Sequence, residues 1–201
     1  GGAERPLKVC FAGLLMASKG LHTLVEALIQ LHQRGLTIQA SIAGDSFQQG
    51  YRQQLEQLLQ DAGLQGSVQF VGQLKRQALA RFYALHHVGV FPSIHPEAFG
   101  IVGAEMMASG LALVTSGVGG AAELVEHDRN GLRFQAGDAN DLADCLARLA
   151  CDTSLLKRLS EAGQRQVQDH FSVHAAAAIL EQGFTDQAST DTSVNGIALF
   201  S

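Results

Sequence analysis

The sequence predicts an α/β fold: a doubly wound, parallel six-stranded sheet with extra helices after the last strand. Three observations carry that expectation. Short apolar runs of strand length alternate with longer segments in which apolar residues recur at helical spacing. No hairpin signal joins any two of the runs, so successive strands run parallel and each pair is bridged by a covering helix. With 201 residues, 46% of them hydrophobic and 16% charged, the chain has enough apolar material to bury both faces of such a sheet.

The elements follow in order. Lys8 to Leu14 is the first strand, and Leu21, Leu24, Val25, Leu28 and Leu31 then form one face of a helix that Gly35 ends. Thr37 to Ala43 is the second strand. It closes at Gly44-Asp45-Ser46, and a helix from Tyr51 to Ala62 stops at Gly63. The same alternation continues with strand Val68 to Val71, helix Gln77 to Leu85, strand Val88 to Phe91, helix Phe99 to Ala108, strand Leu111 to Thr115 and a short helix from Ala121 to Val125. After the Asn130-Gly131 turn comes a sixth strand near Leu132 to Phe134, then helices Asp141 to Ala150, Leu155 to His170 and Val173 to about Gln187. The expected organisation is a linker over 1–7, one domain over 8–187 and a polar tail over 188–201. Gly1 and Gly2 read as a linker, with the expectation that the chain is part of a longer protein.

Composition excludes several classes of function. Fourteen basic against nineteen acidic residues give a formal charge of -5, which disfavours a general electrostatic role on nucleic acid or an anionic membrane. Phosphate binding, if present, must be local. Cys10, Cys145 and Cys151 have no Cys-x-x-Cys spacing and are odd in number, so neither a zinc site nor a disulfide framework is expected, and a cytoplasmic location fits. The eight histidines show no metal-ligand spacing, and no transmembrane segment is expected.

In an open parallel sheet of order 3-2-1-4-5-6, ligands bind beyond the carboxyl ends of the strands, where the order reverses between strands one and four. Two loops flank that crevice: Gly13 to Lys19, and Pro92 to Gly100. Lys19 and Gly20 stand at the mouth of a helix, where the dipole disfavours a cation unless an anion is also there. The second loop leads into a helix whose first-turn amides suit a diphosphate, with Gly100 allowing close approach. Glu97 sits at that helix mouth and Glu105 about 9 Å further along its axis, so one carboxylate faces sugar hydroxyls and the other a ribose diol. Taken singly, Lys19 and Glu105 read as ordinary exposed helix residues; together at adjacent crevice loops they read as a site. His95 reads as a solvated loop histidine, Asp45 first as the cap of the following helix and otherwise as a residue approaching the nucleotide, Met106 and Met107 as core, and His87 as structural.

The stretch PSIHPEAFGIVGAEMMASG, over 92–110, resembles the signature of family-4 retaining glycosyltransferases, in which two glutamates with seven residues between them occupy the places of Glu97 and Glu105. The resemblance runs from about Lys8 to Phe184 and includes Lys19-Gly20, Gly44-Asp45, the run Phe70 to Leu74 and the run Gly119 to Val125. It implies a Rossmann-like domain, the C-terminal half of the GT-B architecture, that binds a nucleotide-diphosphate sugar and works with an N-terminal acceptor-binding domain. It further implies that Lys19 is catalytic and binds the diphosphate, and that Glu97 is catalytic and holds the sugar. Gly13 and the backbone of Phe99, Gly100, Ile101 and Val102 would contact the donor, Glu105 the ribose and Leu74 the base. No metal or other cofactor is implied. One departure stands out: the family commonly carries arginine after the first glycine, and this chain has Leu14. The expected function is therefore the donor-binding half of a hexosyltransferase, inactive in isolation. The alternative is a catalytically incompetent nucleotide-sugar binding module; an epimerase or phosphorylase fits less well.

Overall fold

The computed structural model describes residues 6–46, 48–96 and 100–170. The chain divides into two compact units, Gly1–Arg165 and Gln166–Ser201, and the packing described below belongs to the first. Glu97 and Phe99 lie outside the described residues, as does the helix expected over 173–187.

Six parallel strands make one sheet: β1 (Leu7–Ala12), β2 (Ile38–Ala43), β3 (Val68–Gly72), β4 (Val88–Phe91), β5 (Ala112–Thr115) and β6 (Leu132–Arg133). Their order is β3-β2-β1-β4-β5-β6, as expected, so the direction of winding reverses between β1 and β4. The helices are α1 (Leu21–Gln33), α2 (Tyr51–Asp61), α3 (Arg76–Tyr83), α4 (Ile101–Ala108), α5 (Ala121–Leu124), α6 (Ala139–Cys151) and α7 (Thr153–His170). Strand and helix ends differ from the sequence expectation by one or two residues at most positions, the usual uncertainty at frayed ends. No helix among the described residues is long and apolar enough to cross a membrane.

Residues that alternate along each strand divide between two layers. Val9 and Phe11, Val88 and Val90, and Ala112 and Val114 join the core that α1 and α6 cover with Leu24, Leu28, Leu31, Leu142 and Leu146. The opposite layer lies under α4. There a Cβ on Gly89, in the centre of β4, would stand only 2.6 Å from Met106 Sδ, and one on Gly103 would be 3.2 Å from Leu113. The helix thus sits close because two facing glycines leave room for it. Met106 and Met107 are fully buried, the core role expected of them.

Between β2 and β3 the register shifts, pairing Ile42 with Phe70 and then Ala43 with Gly72, so that Val71 is the extra residue of a bulge. The bulge turns the end of β3 just before Gln73 and Leu74.

His87 ties β1 to β4 at their amino ends. Its N–H donates to the Lys8 carbonyl at 2.8 Å, and its ring Nδ1 accepts from the Lys8 N–H at 3.1 Å. Only an imidazole with an unprotonated Nδ1 makes the second bond. Burial, then the Lys8 charge, holds its pKa below the ordinary value, and burial does the same for neighbouring His86. A lowered folded-state pKa means that the unfolded chain takes up protons first, so this stabilisation is complete above the unfolded value near 6.5 and is lost as pH falls through the folded one. Urea denaturation midpoints are expected to fall between about pH 7.5 and 5.5, and His87→Asn, which keeps an acceptor that does not titrate, is expected to reduce that fall.

Candidate functional site

Backbone hydrogen bonds join the loops at the carboxyl edge of the sheet from one strand to the next. Gly13 N–H donates to the Ala43 carbonyl at 3.0 Å, Leu15 N–H to that of Asp45 at 2.9 Å, and Gly44 N–H to that of Gly72 at 2.9 Å. On the other side of β1, Ile94 N–H donates to the Ser18 carbonyl at 3.0 Å, and Ser116 Oγ reaches the Ser93 carbonyl at 2.6 Å. Thr115 Oγ1 donates to the Phe91 carbonyl and accepts from Gly117 N–H, both at 3.1 Å. These bonds satisfy polar groups that close packing has removed from water.

Two glycines permit the closest approaches. Gly20 has φ 69 and Gly44 φ 148. A Cβ on Gly20 would overlap the Pro92 carbonyl oxygen, and one on Gly44 would overlap that of Gly13. Gly20 therefore fixes the Lys19 loop against the loop after β4, which is the junction of the crevice predicted from topology.

A pocket of about 220 Å³ opens at this edge, lined by Gly13, Leu14, Gly44, Asp45, Gln73, Leu74, Leu79, Tyr83 and Val102 among others. Of the residues picked out from sequence, Gly13, Leu74 and Val102 meet in it. Lys19, Gly100, Ile101 and Glu105 stand outside its lining. Gly100 is the N-cap of α4, with φ 59. The first bond within α4 is from Ala104 N–H to the Gly100 carbonyl at 3.1 Å, which leaves the amides of Ile101, Val102 and Gly103 at the open helix end. Because α4 starts at Ile101, Glu105 is its fifth residue and lies about 6 Å along the axis, nearer the mouth than the 9 Å expected. It is half-buried, three residues after Val102 and so on the same stripe of the helix.

The structure corrects one reading and refines another. Lys19 is the last residue of a 3₁₀ turn, Ala17–Lys19, and precedes the α1 N-cap, Gly20. It therefore stands at the mouth of α1, beside the positive end of the helix dipole. Asp45 does not cap α2, which begins at Tyr51 behind Gly50. The intervening loop is too long: Asp45 accepts from the N–H of Ser46 at 2.8 Å and forms part of the pocket wall. His95 is exposed, as expected of a solvated loop residue.

Sequence reading missed Gln73, Leu79 and Tyr83. Leu79 and Tyr83 are four apart on α3, a helical pair whose inward stripe was the available signal. Tyr83 is 2% exposed, and its hydroxyl has no hydrogen-bond partner among the described residues. A buried unpaired hydroxyl costs about 1–3 kcal/mol. Burial, then the charge of Glu105, raises its pKa. Among the described residues no group of three His, Cys, Asp or Glu is placed to hold a metal ion.

The family model for glycosyl transferases group 1 matches residues 2–166. The chain belongs to this family. D-inositol 3-phosphate glycosyltransferase of Xylanimonas cellulosilytica is 33% identical over 177 residues, 88% of this chain and 41% of the relative. Sucrose-phosphate synthase of Thermosynechococcus elongatus superposes with a TM-score of 0.83 at 31% identity, over 93% of this chain and 47% of that one. Anabaena HepE, crystallised with UDP-glucose, gives 0.81 at 28% over 92% and 49%. The chain spans less than half the length of the curated relatives it matches.

The junction at Gly20 is testable. Gly20→Ala adds both an unfavourable left-handed φ and overlap with backbone that has no free rotamer. It is expected to lower unfolding free energy by about 1–3 kcal/mol, measured by urea denaturation, whereas Gly35→Ala, at a similar φ but with open space around it, is expected to cost less.

Proposed function

We propose that this chain is the donor-binding domain of a retaining glycosyltransferase, which moves a hexosyl group from a nucleotide-diphosphate sugar to an acceptor held by an N-terminal domain. The observation that carries this reading is the adjacency of the pocket behind Gly13, Leu74 and Val102 to the open amino end of α4. A nucleoside fits the pocket, with its base against the Leu74 backbone and its ribose toward Glu105. The diphosphate then extends over the amides of Ile101, Val102 and Gly103, where the helix dipole favours negative charge. Lys19 supplies the cation for the departing nucleotide, and Glu97 and the backbone at Phe99 complete the sugar end. The complexes of Anabaena HepE with UDP and with UDP-glucose support the choice of donor class.

In this reading the nucleotide leaves while the acceptor attacks from the same face, so the configuration at the sugar carbon is kept. No metal is required, because lysine and oriented amides stabilise the charge that develops on the leaving group. A reducing cytoplasm suits the three free cysteines, two of them buried.

A second reading, a nucleotide-sugar binding module without catalytic competence, is favoured by one feature. Leu14, on the pocket wall and 45% exposed, offers no charge where the family commonly carries arginine.

Calorimetric titration with UDP-, GDP- and ADP-sugars tests the donor site. One of them is expected to bind, Lys19→Ala to weaken it by roughly 10- to 100-fold through loss of a charge-assisted contact, and Glu105→Ala to weaken it while leaving the fold intact. Leu14→Arg is expected to tighten binding roughly tenfold, with a steeper dependence on salt. Absence of binding to all three sugars would sink the proposal.

A further inference from the structure

The Tyr83 hydroxyl is the buried polar group of the pocket wall that the donor reading leaves unused. It is an O–H with no acceptor among the described residues, on a residue 2% exposed. Such groups are rare in folded proteins and ask for a partner that arrives later. The Glu105 carboxylate likewise has no hydrogen bond or ion pair among the described residues. Tyr83 ends α3 and lines the same pocket as Val102, which lies on the Glu105 stripe of α4. The two groups are close enough for the carboxylate charge to raise the phenol's pKa beyond what burial does.

We propose that Tyr83 is a positioning residue for Glu105: its O–H donates to one carboxylate oxygen and leaves the remaining lone pairs aimed at the ribose of a bound nucleotide. This rests on the reading of Glu105 as the ribose ligand. A nucleoside in the pocket strips water from the carboxylate, which then needs donors. The ribose supplies two hydroxyls, and Tyr83 supplies a third from below. In this reading the phenol is satisfied only in the liganded state.

The test uses Tyr83→Phe in the full 201-residue chain, with UDP, GDP and ADP as probes; the tightest binder is then compared with its 2′,3′-dideoxy counterpart. The variant is expected to keep or raise the melting temperature of the unliganded chain and to weaken the ribonucleotide roughly tenfold. It should leave the dideoxynucleotide unchanged and have no further effect in a Glu105→Ala background. Wild-type affinity, an equal loss for both sugars, a loss that persists without Glu105, or a lower melting temperature, meaning the hydroxyl is already partnered, would each overturn the proposal. If the unmodified chain binds none of the three nucleotides, the donor-site reading fails first, and this inference falls with it.

Discussion

Backbone lies directly on backbone at Gly20 and Gly44, and the rest of the site depends on that contact. A parallel sheet by itself leaves its connecting loops splayed, because each leads to a helix on one face or the other. Here the loops after β1, β2, β3, β4 and β5 are joined in sequence by hydrogen bonds between main-chain groups or short hydroxyl side chains. A side chain at either glycine would overlap the neighbouring carbonyl oxygen and separate the loops. The loops that carry Gly13, Leu14, Gly44 and Asp45 to the pocket wall are thus held by main chain on main chain.

Much of this is legible in the sequence. The alternation of Val9 and Phe11 with their neighbours, and the stripe from Leu21 to Leu31, carry strand and helix periods strong enough to place β1 and α1, and the absence of hairpin signals makes the sheet parallel. Site residues on the loops, Gly13 and Leu74, were reached through motif resemblance, as was Val102 at the start of α4. Tyr83 was not: its spacing from Leu79 marks an inward stripe of α3, but that this stripe meets the pocket is a tertiary event that no local pattern gives. Asp45 was misjudged for a similar reason: the loop before α2 is longer than composition reveals, so a residue that looks like a cap belongs to the pocket wall. The 3₁₀ turn that delivers Lys19 to the mouth of α1 is not disclosed by Gly20 alone.

The electrostatics of the pocket region are lean. Sequence supplies one lysine and the open end of one short helix where relatives commonly add an arginine, and Leu14 presents an apolar surface on the wall instead. On the proposed reading, binding strength depends more on how well the helix end is aimed than on charge count. This places a premium on the packing of α4, whose first turn rests on α5 because Gly100 and Gly103 have no side chains to hold the helices apart.

Met106, lodged over Gly89, gives that packing an evolutionary meaning. The residue beside it in sequence is Glu105, so the anchor of the helix and the carboxylate proposed to meet the ribose are consecutive positions about 100° apart around one axis. Any drift in core volume beneath α4 is transmitted as a rotation of that carboxylate. On the proposed reading the choice of ligand is exposed to mutation from the inside, and a lineage altering its donor preference would have a route through the hydrophobic core as well as through the pocket wall.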